Sequence, residues 1–152
     1  MIVEVRKAQR SDNEKIAHFQ EEMAFETEGI NLNANIIRAG IDAVFDDAAK
    51  GMYFVAEIDG IVAGSLLITY EWSDWRNSWV YWIQSVYIDK AFRRKGIYKE
   101  MYEHIQRLAE ADAEVAGIRL YVDKTNVKAQ KTYASLGMNG EHYQVFEWMK
   151  NS

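Results

Sequence analysis

The sequence has no cysteine and no proline, and it has three histidines among 152 residues. Without cysteine, the chain forms no disulfide, no thiolate nucleophile and no zinc site with Cys ligands. His18, His104 and His142 lack the spacing of a helical metal-binding motif, so we expect no metal site. For the absence of proline we have no functional account.

Long apolar runs and an excess of positive charge are also missing. No segment approaches the ~20 apolar residues of a membrane-spanning helix, and residues 1–6 alternate like a strand rather than a signal peptide. The net charge of −5 argues against a general nucleic-acid binder. We therefore expect a cytoplasmic protein that binds neither membranes nor nucleic acids. With 49% apolar residues, the chain is expected to form a single domain over residues 1–152.

Hydrophobic periodicity predicts ten elements in the order β-α-α-β-β-β-α-β-α-β. The strands are predicted at residues 2–7, 52–58, 61–72, 78–89, 118–122 and 143–149. The helices are predicted from the Ser-x-x-Glu capping box at residues 11–14 to about residue 26, and at residues 33–50, 96–112 and 126–136. Asp59 and Gly60 form the strongest hairpin signal. This order predicts an α/β fold, a mixed sheet with helices on both faces.

The most informative segment spans residues 83–98, which read as a strand, a basic loop and the start of a helix. A helix N-terminus has unpaired N–H groups and a partial positive charge, which together attract anions. Arg93, Arg94 and Lys95 add formal charge at that point, and Gly96 allows the backbone to approach a ligand closely. The pattern predicts a phosphate or pyrophosphate site, although a charge run of this kind is also typical of a solvated turn.

A second informative segment spans residues 120–138. On a helix that begins near Asn126, the side chains of Asn126, Ala129 and Tyr133 share one face. The Asn126 amide is able to bind an amide-containing chain, and the Tyr133 phenol is able to donate a proton to a leaving anion. The alternatives are that Asn126 caps the helix and that Tyr133 is a core residue.

Together these two segments resemble the motifs of the GNAT superfamily of N-acetyltransferases. The family motif Gln/Arg-x-x-Gly-x-Gly/Ala is matched by residues 93–98, and Asn-x-x-Ala-x-x-x-Tyr-x-x-x-Gly-Phe is matched by residues 126–138. The motifs occur in the family's order, about 30 residues apart, and the order of elements matches over nearly the whole chain. The resemblance implies a GNAT-like mixed, mostly antiparallel central sheet flanked by helices.

The resemblance also implies acetyl-CoA as the cofactor. Val86, Tyr87 and Ile88 would pair through their backbone with the pantetheine amides, and Asn126 would bond to the same arm. The pyrophosphate would be wrapped by the loop and the helix start: Arg93, Arg94, Lys95, Gly96, Ile97, Tyr98 and Lys99. An N–H near Val86 or Tyr87 would polarise the thioester carbonyl. Tyr133 would protonate the departing thiolate.

Two positions depart from the family pattern. Tyr98 stands where the family has Gly or Ala, so its ring is expected to lie along the helix surface. Tyr121 stands where many relatives that acetylate protein N-termini carry Glu, so that base is missing. The first candidate for a replacement base is Glu28, with Glu26 next, and a water relay through Gln84 or Ser85 is an equal alternative.

The segment around residues 70–82 holds four of the five tryptophans, and in the family this hairpin flanks the acceptor site. Aromatic faces beside carboxylates suit a cation. The candidate acceptor residues are therefore Glu26, Trp72, Asp74 and Trp75, although such tryptophans are more often core or dimer-interface residues.

The predicted function is transfer of an acetyl group from acetyl-CoA to a primary amine, a small cationic molecule, within a ternary complex. The alternatives are a non-catalytic acyl-CoA sensor and acetylation of a protein N-terminus or lysine. The aromatic excess leaves a homodimer open.

Overall fold

The computed structural model describes residues 1–150, which belong to two compact units, Met1–Arg119 and Leu120–Ser152. The first unit contains a five-stranded sheet. Its strands are β1 (Val3–Lys7), β2 (Met52–Ile58), β3 (Ile61–Ser73), β4 (Ser78–Ile88) and β5 (Val115–Arg119). They pair in sequence order, and only β4 and β5 run parallel. The mixed, mostly antiparallel sheet predicted above is thereby confirmed.

Three helices complete the first unit and one lies in the second. The helices of the first unit are α1 (Asn13–Glu28), α2 (Ala34–Asp46) and α3 (Ile97–Ala111), and the second unit contains α4 (Val127–Ser135). Short 3-10 turns occupy Arg10–Asp12 and Lys90–Phe92. The turn between β2 and β3 has positive φ at Asp59 (51°) and Gly60 (78°), as a two-residue hairpin of primed type requires.

Both faces of the sheet in the first unit are buried, and consecutive residues of β2 pack on opposite faces. Val55 belongs to a core cluster with Ile16 of α1 and Ile41 of α2. Phe54, the preceding residue, contacts the His104 ring of α3 at 5.7 Å between centroids. Burial in this apolar setting lowers the pKa of His104. Because side chains alternate along a strand, α1 and α2 cover one face and α3 covers the other.

Several predicted boundaries need correction. Ser11 does not cap α1, because it lies within the 3-10 turn and Asp12 occupies the position before the helix. Strand β5 ends at Arg119, three residues before the predicted end at residue 122. Residues 143–149, predicted as the last strand, form no strand, and Phe146 and Trp148 are 91% and 87% exposed. The alternation of apolar and polar residues was not sufficient there, because a strand also requires a neighbouring strand to pair with.

Candidate functional site

Strand β4 contains a bulge at the position where the sequence predicts cofactor contacts. Ser85 and Val86 together lie opposite the single β3 residue Leu66, so the regular ladder is interrupted. Ser85 adopts a positive φ of 56°, which is uncommon for a residue with a side chain. Gly64 lets β3 approach here, since a Cβ atom would lie 2.9 Å from the carbonyl oxygen of Tyr87. The bulge therefore interrupts the regular β3–β4 pairing next to Val86.

The N-terminus of α3 is open. Gly96 precedes the helix with φ of +74° and supplies no side-chain cap. The first intrahelical bond runs from the Glu100 N–H to the Gly96 carbonyl at 3.1 Å. The N–H groups of Ile97 and Lys99 therefore precede the first intrahelical bond, and a helix start of this kind suits an anion.

Basic side chains flank this open N-terminus. Arg94 and Lys95 are exposed, and the Lys95 Nζ lies 5.6 Å from the centroid of the Phe92 ring. Arg94 adopts φ of +65°, so the loop turns sharply just before Gly96. The Tyr98 ring lies along α3, stacked on the Tyr102 ring with 6.4 Å between centroids. The side chains and N–H groups present thus fit a phosphate-bearing cofactor.

Arg93 differs from Arg94 and Lys95 because its guanidinium contacts other parts of the protein. Its Nε donates to the Ile88 carbonyl at 2.9 Å, and its Nη2 donates to Glu26 Oε2 at 2.8 Å. The guanidinium carbon also lies 5.2 Å from the centroid of the Tyr87 ring. Arg93 is therefore held against β4 and α1.

Glu26, near the end of α1, accepts from three donors. Besides Arg93, its Oε1 accepts from the Tyr87 hydroxyl at 2.7 Å and pairs with Lys90 Nζ at 3.2 Å. Burial opposes ionisation of this carboxyl, but the hydrogen bonds from Arg93, Tyr87 and Lys90 outweigh it and lower the pKa of Glu26 to about 2. A carboxylate this acidic is not a base at neutral pH. The role of Glu26 as the second candidate base stays a prediction, which its pairing with Arg93 and Lys90 does not favour.

Tyr87 is buried between α1 and the sheet. Its ring contacts Phe19 at 5.3 Å between centroids, and burial together with the hydrogen bond to Glu26 raises the pKa of the phenol. The side chain therefore stays protonated and serves the fold, which leaves only the Tyr87 backbone for a cofactor.

The remaining acceptor candidates lie at exposed positions. Glu28 is the last residue of α1 and is exposed. Trp72 packs edge-on against Trp79 across the β3–β4 hairpin with 5.0 Å between ring centroids, and it remains half exposed. Asp74 and Trp75 lie in the turn of this hairpin, where Trp75 is 93% exposed.

In the second unit, Asn126 caps α4. Its Oδ1 accepts from the Ala129 N–H at 3.0 Å, so the capping interpretation of Asn126 is confirmed and its side-chain NH₂ remains available for another partner. Tyr133 lies in the middle of α4 and is partly exposed. Tyr121 precedes the helix and is 60% exposed.

Sequence reasoning missed Lys90 and the joint role of Tyr87 and Glu26. The two partners of the Tyr87–Glu26 hydrogen bond are 61 positions apart, and those of the Arg93–Glu26 bond are 67 apart. A local sequence pattern does not predict a contact between residues so far apart in the chain. Among residues 1–150, no cluster of three or more side chains suited to a metal is present. Over the same residues, no helix has the length and apolar character needed to cross a bilayer.

Comparisons with known proteins identify relatives of this chain. Residues 11–138 match the sequence profile of the Acetyltransferase (GNAT) family. A possible acetyltransferase from Clostridium difficile 630 is 39% identical, with all of both chains covered and a TM-score of 0.91. No protein of curated function matches the sequence.

Two more distant structures share the fold. Glucosamine-6-phosphate N-acetyltransferase from Arabidopsis thaliana is 18% identical over 99% of this chain and all of its own, with a TM-score of 0.75. AAC(6')-Iy, in complex with the bisubstrate analog CoA-S-monomethyl-acetylneamine, is 14% identical over 99% of each chain, with a TM-score of 0.80. The family match over most of the chain and the 39% identity across its whole length show that this chain belongs to the GNAT family of acetyltransferases.

Proposed function

We propose that the protein transfers an acetyl group from acetyl-CoA to a primary amine of a small cationic molecule, by direct transfer in a ternary complex. The observation that carries the proposal is the uncapped N-terminus of α3, which lies beside exposed Arg94 and Lys95 and follows the bulged strand β4. Acetyl-CoA, when bound, supplies the thioester whose acetyl group is transferred.

The protein binds the cofactor with backbone and basic groups. The N–H groups of Ile97, Tyr98 and Lys99 and the side chains of Arg94 and Lys95 neutralise the pyrophosphate. The backbone of Val86, Tyr87 and Ile88 pairs with the pantetheine amides as a neighbouring strand would, and Asn126 adds a bond through its amide.

Three chemical tasks remain for the protein. A backbone N–H of Val86 or Tyr87 donates to the thioester oxygen as negative charge develops there. Tyr133 donates its phenolic proton to the departing sulfur. The acceptor amine loses a proton first, because an alkylammonium with a pKa of ~10 is not a nucleophile. Glu28 is the proposed base, since the carboxylate of Glu26 is already bound by three donors.

The acceptor binds between the β3–β4 hairpin and the end of α1. Trp72 and Trp75 offer aromatic faces to a cation, and Asp74 adds negative charge. Two structures with the same fold are a glucosamine-6-phosphate N-acetyltransferase and AAC(6')-Iy in complex with the bisubstrate analog CoA-S-monomethyl-acetylneamine. A cationic amine is consistent with both precedents.

The proposal is tested by an acetyl-transfer screen over amines, neutral alcohols and peptides. We expect turnover with small amines, and a preference for peptides would contradict the acceptor assignment. Binding of acetyl-CoA without turnover on any acceptor would instead favour a non-catalytic sensor.

Tyr133→Phe tests the proposed acid. We expect kcat to fall about 10- to 100-fold with little change in the Kd for CoA, because the proton is needed only as the sulfur departs. Tyr143→Phe, an 80% exposed tyrosine of the same unit, is the matched control. An unchanged kcat in Tyr133→Phe would show that the proton comes from another group.

A further inference from the structure

Glu26 connects α1 to the strand and loop that carry the cofactor contacts. Its two oxygens accept from Tyr87 on β4, from Lys90 just after β4 and from Arg93 in the basic loop, at 2.7, 3.2 and 2.8 Å. We call these four residues the Glu26 cluster. Nothing in the local sequence of α1 predicts this connection, and the acetyl-transfer chemistry proposed above does not use it.

Arg93 is the member of the cluster that reaches the loop. One of its donors bonds to the backbone carbonyl of Ile88, the last residue of β4, and another bonds to Glu26. Its guanidinium also lies over the Tyr87 ring. With these contacts, Arg93 holds the short segment between Ile88 and Arg93 in a fixed turn. It also links this segment to α1.

The loop needs such restraint. Directly after Arg93, Arg94 adopts a left-handed conformation with φ of +65°, which is unfavourable for a residue with a Cβ atom. Strained backbone of this kind persists where surrounding contacts hold it in place. The Glu26 cluster lies immediately before the strained residue and supplies those contacts.

We propose that Glu26 is a positioning residue for the cofactor loop: it fixes Arg93 as a structural support, and the pyrophosphate is bound by Arg94, Lys95 and the N–H groups of α3. This inference rests on the proposed function. The rival interpretation is that Glu26 competes with the pyrophosphate for Arg93 and releases it on binding. The bond from Arg93 to the Ile88 backbone and the contact with the Tyr87 ring favour the supporting role, because together with Glu26 they direct the guanidinium toward β4 and α1.

Glu26→Gln distinguishes the two by the sign of its effect. The substitution keeps the size of the side chain but removes the charge that binds Arg93 and Lys90. We expect the Kd for CoA, measured by calorimetry, to rise on the order of tenfold, with the Kd for pantetheine unchanged because pantetheine lacks the pyrophosphate. Glu14→Gln is the matched control, since Glu14 is also an α1 carboxylate paired with an arginine, Arg38 of α2. Its Kd for CoA should equal that of the wild type.

Two further measurements keep the outcome interpretable. Amide hydrogen exchange at Phe92 and Glu100, whose N–H groups donate to the Asp89 and Gly96 carbonyls on either side of the loop, should accelerate in ligand-free Glu26→Gln, because the loop loses its support. Arg93→Gln should weaken CoA binding to a similar extent, and the double variant should be no weaker than either single one. Tyr87→Phe, which removes a single donor from the cluster, should give a smaller effect of the same sign.

Tighter binding of CoA by Glu26→Gln would establish the competing role and overturn the inference. Unchanged CoA binding together with unchanged exchange at Phe92 and Glu100 would overturn it as well. A wild-type protein that does not bind CoA would overturn the proposed function, and with it the cofactor part of the inference. The exchange measurement would then still decide whether Glu26 supports the loop.

Discussion

Helices α2 and α3 begin in different ways, although both lie in the same compact unit. At α2, the Asn33 side chain accepts from the N–H groups of Asn35 and Ile36 at 3.0 and 3.1 Å. At α3, Gly96 offers no side-chain acceptor and basic residues precede the helix. At α2, a side chain of the protein accepts hydrogen bonds from the first N–H groups of the helix. At α3, no side chain has this role. We infer from this difference that the start of α3, which has no capping side chain, is the better suited of the two to bind an anion.

The largest effect on CoA binding is expected from a substitution that gives α3 a charged capping side chain. Gly96→Asp would place a carboxylate beside the N–H groups at the start of α3 and repel the pyrophosphate, so we expect the Kd for CoA to rise about 100-fold, or ~2.7 kcal/mol. No other atom lies within 4 Å of a Cβ atom at Gly96, so the expected cost to folding comes only from the left-handed backbone. The measurement is calorimetric titration with CoA.

Gly96→Asn is the control for this prediction. Asparagine tolerates the left-handed conformation and caps a helix without adding charge. We expect about a tenfold rise in Kd, between the values of the wild type and Gly96→Asp. Equal affinity in all three proteins would show that the N-terminus of α3 does not bind the cofactor.

A second prediction concerns the start of α1, which represents a third arrangement. Asp12 precedes that helix, but its carboxylate accepts from Arg6 at 2.8 Å and from the Gln9 N–H at 2.7 Å. The hydrogen bond from Arg6 lowers the pKa of Asp12 most, and the Gln9 N–H adds to it, against the opposing effect of burial. This charge is already used inside the protein, so it contributes to stability and not to ligand binding.

Because the pKa of Asp12 is lower in the folded state, the stability from its ionised form is present above the unfolded pKa of ~3.9 and is lost as the pH falls through the folded pKa. Asp12→Asn should lower the unfolding free energy at pH 7 by about 2 kcal/mol and should flatten its decline below pH 5. Urea denaturation at a series of pH values measures both effects. A parallel decline in wild type and variant would exclude Asp12 as a source of the acid sensitivity.

The local features of this comparison were largely predictable from sequence. The β2–β3 hairpin followed from Asp59-Gly60, and the start of α3 followed from Gly96. Each depends on the conformational preference of one or two residues. The chain order of motifs also sufficed to identify the family.

Features that depend on distant partners were not predictable. The bond between Arg93 and Glu26 joins positions 67 apart, and a charged residue in a sequence does not indicate which opposite charge it meets. The bulge at Ser85 was also hidden, because one additional residue in an alternating strand does not alter its composition. The second informative motif places Asn126 and Tyr133 on one helix, but the chemistry assigned to them remains a prediction.

The smallest expected effect comes from removing the cap of α2. Asn33→Ala would leave the N–H groups of Asn35 and Ile36 without their acceptor, so the unfolding free energy should fall by about 1 kcal/mol, which corresponds to a Tm lower by roughly 2–4 °C. Asn33→Asp retains the cap and should preserve the Tm. The Kd for CoA should be the same in all three proteins, because a satisfied helix N-terminus contributes to folding and not to anion binding. Weaker CoA binding in Asn33→Ala at unchanged Tm would contradict this assignment, because the start of α2 would then contribute to cofactor binding and not to stability.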